Sequence, residues 1–212
     1  MRYLIAASAL ALAAACTTST EPADTVGAST VAAVPDTFGL AMSTVDSLVA
    51  AGNEQIAIDR LTQLLGDPSL TDDEAASALL RRAELRLGDG NNVEGAIEDL
   101  EEIDARYPGT PQAEEANSMF TTAVMEFDFL TDQLLTGSLA PTEEFEVLFR
   151  LGRHQDAADL MLSRSLTPDN AYLLDMYQVG YLCDDAELTG PSYDLTSPDG
   201  SVRTVRFCEF GK

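Results

Sequence analysis

The chain has 212 residues, 36 of them acidic and 12 basic, which gives a formal net charge of −24 at pH 7. A protein this acidic repels phosphate backbones, so nucleic acid is excluded as a partner. The length of the chain fits one compact domain, and a single histidine, His154, excludes a histidine-rich metal site.

The N-terminal segment has the three parts of a bacterial export signal. Arg2 forms a short basic region, residues 4–15 form an apolar run, and small residues precede Cys16. The apolar run is too short to span a bilayer. Residues 12–16 resemble the cleavage site of bacterial lipoproteins, in which a peptidase cuts before a cysteine whose thiol already carries a lipid.

Two interpretations of this segment are open. In the first, residues 1–15 are a lipoprotein signal peptide, and the acyl chains on Cys16 anchor the protein to a membrane. In the second, the Ala-x-Ala pattern of residues 13–15 directs ordinary secretion and leaves Cys16 without lipid. Residues 16–36 follow as the lipidated N-terminus and a flexible tether, because their Thr, Ser, Ala, Pro and Asp residues show no helical or strand periodicity.

Cys183 and Cys208 are the two cysteines that remain when Cys16 is set aside. A disulfide between them is expected, since such bonds persist in the periplasm. Closing a loop of this length stabilises a fold by roughly 3 kcal/mol in the chain-entropy model. Two reduced and buried thiols are the alternative.

The chain before about residue 180 shows the apolar spacing of short amphipathic helices. Ala96 and Leu100, for example, lie on one apolar stripe of a predicted helix. Thr71 and Glu74 have the spacing of a capping box and predict a helix start. A longer helix is predicted over residues 111–135.

Three segments share a spacing of a glycine, a small residue, a larger apolar residue and a proline. This spacing resembles the tetratricopeptide repeat, a helical pair in which a glycine ends the first helix and a proline follows the second. In the middle copy, residues 78–88 and 94–100 resemble the two helices, and residues 107–116 resemble the repeat junction of envelope-associated tetratricopeptide lipoproteins. The shared positions are Gly52, Ala57, Leu61 and Pro68; Gly90, Ala96, Leu100 and Pro108; and Gly152, Ala157, Met161 and Pro168.

The resemblance implies an all-α fold over residues 37–181, with antiparallel helical pairs stacked as a solenoid. Asn91 and Asn92 form an insertion in the middle copy, and the helix predicted over residues 111–135 fits the repeat least well. An irregular helical bundle is the alternative, because alanine and leucine at these spacings suit any helical bundle.

The spacing of the apolar residues changes after residue 180. Residues 193–195 and 202–210 flank the turn sequence 197–200 and predict a small β-hairpin. Residues 182–212 therefore form a C-terminal appendage, which the Cys183–Cys208 bridge would hold to the helical body. The hairpin is expected to cover the open end of the repeats. A recognition edge for a partner strand is the alternative.

No catalytic or cofactor-binding motif is found in the sequence, so no enzyme activity, cofactor or metal is predicted. His154 is expected to be an exposed turn residue at a helix start. Acid pairs such as Glu143 and Glu144 point about 100° apart on a helix and do not converge on one substrate atom.

The sequence as a whole predicts a membrane-anchored lipoprotein of the bacterial envelope, at the outer membrane and facing the periplasm. It would act as an adaptor that binds another envelope protein or peptide, and acidic side chains would favour a basic partner. Arg81, Arg82 and Arg86 could instead cluster on one side of a helix and bind acidic partners or lipid head groups. The alternative functions are a carboxylate-dependent hydrolase of cell-wall glycan and a passive acidic surface protein adapted to salt.

Overall fold

A computed structural model describes residues 37–184 and 189–208. Cys16, the predicted signal peptide and the predicted tether lie outside the described residues. Within the described ranges the chain is mostly helical, with eight helices and three short strands. In chain order the elements are α1 (Thr37–Ala50), α2 (Glu54–Leu65), α3 (Asp72–Leu87), α4 (Val93–Arg106), α5 (Pro111–Thr136), α6 (Pro141–Leu151), α7 (His154–Arg164), α8 (Asn170–Gln178), β1 (Leu182–Cys183), β2 (Ser192–Thr196) and β3 (Val202–Phe207).

Local sequence signals set the helix boundaries. The Thr71 hydroxyl accepts a hydrogen bond from the Glu74 amide at 3.3 Å, and the Glu74 carboxylate accepts one from the Thr71 amide at 2.8 Å. This reciprocal pair is the predicted capping box at the start of α3. The long helix α5 begins at Pro111, where a proline costs no helical hydrogen bond, and ends before Gly137 at φ 61°. None of the described helices is long and apolar enough to cross a membrane.

The apolar stripes pack the helices against their neighbours. α3 packs between α2 and α4, and α5 covers α3 and α4. α8 contacts α2, so the last helix returns to the first helical pair, which does not happen in a stack where each repeat touches only its neighbours. The small and apolar residues of the shared spacing are all at most 1% exposed: Ala57, Leu61, Ala96, Leu100, Ala157 and Met161.

The C-terminal appendage is a three-stranded antiparallel sheet in the order β1-β3-β2. The predicted hairpin is β2 and β3, paired for example at Tyr193 and Val205. The sequence did not predict β1, because a two-residue strand has no periodicity to detect. The Cys183–Cys208 disulfide is confirmed, although β3 ends at Phe207 and Cys208 follows the strand instead of lying within it.

The sheet is packed onto the C-terminal helices. Leu195 and Val205 are fully buried in a cluster that includes Phe145 of α6 and Met176 of α8. The sheet therefore shields apolar surface of α6, α7 and α8 from water.

Candidate functional site

A groove opens where α2 ends, α3 begins and α4 ends. Its deeper part has a volume of about 540 Å³ and includes Pro68 in its lining. The neighbouring part, of about 470 Å³, includes Pro108. Asp72, Arg106 and Tyr107 line both parts, so the two cavities adjoin each other. We call the pair the proline groove, because Pro68 and Pro108, two of the three repeated prolines, lie in its lining.

The floor of the proline groove is apolar. Leu65 is the last residue of α2, Leu70 lies in the α2–α3 connection, and Leu79 comes from the buried side of α3. The chain turns sharply after α2, where the Gly66 amide donates a hydrogen bond to the Gln63 backbone carbonyl. This turn forms the floor. Polar atoms contribute more of the lining surface than these apolar side chains do.

The rim of the proline groove is acidic. Hydrogen bonds from the Ser69 hydroxyl and amide lower the pKa of Asp67 below its ordinary value. Asp72 and Asp73 occupy the first turn of α3, where the helix dipole favours negative charge. Neither of these two carboxylates forms an ion pair with any described residue.

One cation lies at the rim together with an aromatic ring. The Arg106 guanidinium contacts the Glu102 carboxylate and lies 5.2 Å from the centroid of the Tyr107 ring. The Arg106 side chain is 62% exposed, so this arrangement is held only weakly.

Arg82 also lines the groove, and its guanidinium is bound on the inner side by a buried carboxylate. Arg82 forms two hydrogen bonds to Asp99, at 2.6 and 3.0 Å, and Arg86 donates to the same carboxylate at 2.8 Å. The Asp99 side chain is only 3% exposed. Burial lowers the pKa of Arg86, against the raising effect of Asp99. The three side chains form a buried ion cluster between α3 and α4.

The alternative in which Arg81, Arg82 and Arg86 form one external cationic cluster is therefore wrong. Arg82 and Arg86 face the buried carboxylate, because they lie one helical turn apart on the side of α3 that packs on α4. Arg81 instead pairs with Asp46 of α1 at 3.2 Å and with Glu84 at 2.8 Å.

The first helices of the predicted pairs are also joined by polar contacts. The Arg81–Asp46 pair links α3 to α1, and the Gln112 amide donates to the Ser77 hydroxyl at 2.8 Å, which links α5 to α3. These contacts tie α1, α3 and α5 to one another through polar side chains.

The opposite ends of α3 and α4 meet in the turn of residues 88–92, which we call the glycine turn. The Gln55 amide of α2 donates to the Gly90 carbonyl at 2.8 Å. Arg150 of α6 donates to the Gly88 carbonyl at 2.7 Å and also to the Leu87 carbonyl. The carbonyls that end α3 thus bind side chains from distant helices, as buried helix ends require.

Glycine is required at two of the three repeated positions because there is no room for a side chain. A Cβ at Gly90 would lie 2.6 Å from the Ile58 side chain, and one at Gly152 would lie 2.1 Å from Asn92 Oδ1. Gly52 has a φ of +72° with open space around it, so only its backbone conformation favours glycine.

Two titratable side chains contact Asn91 in the glycine turn. His154 Nε2 lies 3.1 Å from the Asn91 carbonyl oxygen, and the imidazole packs on the Phe149 ring. Burial lowers the pKa of His154. The expectation that His154 is an exposed turn residue was wrong, because the α6–α7 turn packs against the glycine turn.

Asp175 of α8 lies on the other side of Asn91, whose amide donates to it at 3.4 Å. Burial raises the pKa of Asp175 to about 6, and the charges of Glu54 and Asp89 add to this rise. Asp175, whose pKa is strongly raised, does not line the proline groove.

The polar groups at the two ends of the α3–α4 pair differ in what they bind. Those of the glycine turn bind other helices, whereas the carboxylates of Asp72 and Asp73 in the proline groove face solvent. Within residues 37–184 and 189–208, no group of three or more His, Cys, Asp or Glu side chains is arranged to hold a metal ion. No protein-family model matches this chain, and neither a curated protein nor a solved structure is significantly similar to it.

Proposed function

We propose that this chain is a lipoprotein of the bacterial envelope, anchored through Cys16 at the outer membrane and facing the periplasm. Its tetratricopeptide-like helical body binds a segment of another envelope protein, and the protein acts as an adaptor and not as an enzyme.

The proline groove is the observation that carries this proposal. Its lining combines leucine side chains with the carboxylates of Asp72 and Asp73, which bind no described side chain, and two of the three repeated prolines lie in it. In such a groove, the floor supplies binding energy through apolar burial, while the charged rim increases the rate of encounter and selects the partner.

The disulfide supports the proposed compartment. The Cys183–Cys208 bridge closes the C-terminal sheet onto the residues that follow α8. Such bridges persist in the periplasm and are rare in the cytosol. An exported protein is therefore the simplest host for this bond, in agreement with the signal pattern that ends at Cys16.

The proposal is tested by cross-linking in intact cells, followed by capture of the lipoprotein and mass spectrometry. One variant carries Cys16→Ser, which removes the anchor, and a second carries Tyr107→Ala, which removes the aromatic ring of the groove. Phe129→Ala is the matched control, because Phe129 is an exposed aromatic residue on α5 away from the groove.

We expect one envelope complex with the native protein, reduced by Cys16→Ser and by Tyr107→Ala but retained by Phe129→Ala. Recovery of nothing above background would contradict the adaptor function and favour a passive acidic surface protein. Equal loss with Tyr107→Ala and Phe129→Ala would show that the groove is not the binding site.

A further inference from the structure

We infer that the proline groove binds a partner segment that carries arginine or lysine side chains. The inference rests on the proposed binding function and adds the chemistry of the ligand. It is carried by three features of the groove: its balance of charge, the position of Arg106, and the apolar floor beside the rim.

The charge of the groove favours a cationic ligand. Its lining includes four carboxylates, those of Asp67, Asp72, Asp73 and Glu102. The opposing cations in the lining are Arg106 and Arg82, so the carboxylates outnumber the guanidiniums even when Arg82 is counted at full charge. A positively charged side chain would therefore enter a region of net negative potential, and an acidic segment would be repelled.

Arg106 shows which type of side chain the rim binds. Its guanidinium lies between a carboxylate, that of Glu102, and the face of the Tyr107 ring. These are the two groups that bind a guanidinium best, one by charge-assisted hydrogen bonds and the other by cation–π attraction. Because the Arg106 side chain is largely exposed, a partner arginine can displace it and take its place.

The floor of the groove suits the rest of a basic side chain. Arginine and lysine carry their charge on an apolar stem, which packs on apolar surface while the charged end stays at the rim. Leu65 and Leu70 provide that surface within the deeper part of the groove, next to the carboxylate of Asp72. The segment binds with its stems on these leucines and its cations at the acidic rim.

The test uses the full chain with Cys16→Ser and a short fluorescent peptide of arginine, leucine and serine. A second peptide has glutamate in place of arginine. Fluorescence anisotropy at moderate salt gives the affinity for each. The groove variant carries Asp72→Asn and Asp73→Asn. Its control carries Asp128→Asn and Asp132→Asn, which remove the same charge from exposed positions of α5 outside the groove lining.

We expect the arginine peptide to bind and the glutamate peptide not to bind. The groove variant should weaken binding roughly five- to tenfold, and the α5 control by no more than about twofold, because only the former removes direct charge contacts. Arg106→Ala should strengthen binding by about twofold or more, since it removes the internal competitor. Circular dichroism and thermal melting of every variant verify that each remains folded.

Three results would overturn the inference: no binding of the arginine peptide, equal weakening in the two double variants, or no gain with Arg106→Ala. The adaptor function is judged separately by the cross-linking experiment. If a complex is captured equally by the native protein and by the groove variant, the adaptor function stands and the basic ligand is refuted. If the peptide binds and no complex is captured, the ligand chemistry stands and the adaptor function fails.

Discussion

Asn92 occupies the space that a side chain at Gly152 would need, since a Cβ at Gly152 would lie 2.1 Å from Asn92 Oδ1. The same Asn92 oxygen accepts a hydrogen bond from the Gly95 amide at 2.8 Å and caps α4. The α6–α7 turn therefore packs on Asn91 and Asn92, the insertion that departs from the repeat pattern.

Gly152→Ala should destabilise the protein by about 2–4 kcal/mol, because it combines a strained positive φ with a clash against a capping side chain. Gly52→Ala is the matched control. It has a similar φ of +72° but open space around it, and should cost only about 1 kcal/mol. Urea denaturation followed by circular dichroism measures both. Equal costs would show that the contact with Asn92 does not matter.

Asp99→Ala should reduce the free energy of unfolding by about 3–5 kcal/mol, because it leaves Arg82 and Arg86 without their buried partner. Glu102→Gln breaks a pair with the exposed Arg106 and should cost at most about 1 kcal/mol. Chemical denaturation of the two variants at neutral pH gives the comparison. A loss below about 1 kcal/mol for Asp99→Ala would contradict the importance of the buried cluster.

The raised pKa of Asp175 predicts a pH-dependent stability. Folding favours the protonated carboxyl, so this contribution is full below the unfolded value of 3.8 and is lost as the pH rises through about 6. Asp175→Asn should therefore stabilise the protein at pH 7 by about 1 kcal/mol, after allowance for solvent screening, and should flatten the profile between these two pH values.

Denaturation midpoints across this pH range give the profile, with Asp169→Asn as the control because it alters an exposed acid at the start of the same helix. His154 acts in the opposite sense. Its lowered pKa means that its contribution is present above the unfolded value of 6.5 and is lost as the pH falls. The difference in stability between Asp175→Asn and the native chain at each pH gives the contribution of the Asp175 carboxyl. If the two stability profiles run parallel across this pH range, the raised pKa of Asp175 is refuted.

Removal of the disulfide should cost roughly 3 kcal/mol, since the bridge closes a loop across a sequence separation of 25. The measurement compares the native chain with a variant that carries Cys183→Ser and Cys208→Ser. A reductant should lower the thermal midpoint of the native chain and leave that of the double variant unchanged. A similar response in both would mean that the bridge does not stabilise the fold.

Much of the fold was predictable because it is encoded locally. The apolar stripes, the Thr71–Glu74 capping box and the start of α5 at Pro111 each depend on residues a few positions apart. The hairpin was predicted from a turn sequence in the same way. The Cys183–Cys208 bridge is not local, and it was predicted because these are the two cysteines that remain when Cys16 is set aside. The return of α8 to α2 had no such local signal, because it depends on tertiary packing.

The candidate site was predictable only in part. The repeated Pro68 and Pro108 marked two turns, but nothing in the sequence placed those turns beside one cavity. Asp99 did carry a signal, since it falls on the apolar stripe with Ala96 and Leu100, where an acid needs a buried cation. The position of Asp99 indicates which residue Arg82 binds, whereas the basic residues of α3 alone did not indicate their partner.

The glycine turn also has a consequence for the order in which the chain matures. Asn91 and Asp175 are separated by 84 positions, and two further partners, Arg150 and His154, come from α6 and α7, whereas Gln55 of α2 precedes the turn. Because synthesis runs from the N-terminus, α3 and α4 are made before α6, α7 and α8, and the carbonyls of Leu87, Gly88 and Asn91 lack their partners from α6 and α7 until then. A chain truncated before α8 would also leave Asn91 without Asp175, so the turn between α3 and α4 gains its full set of contacts late in synthesis.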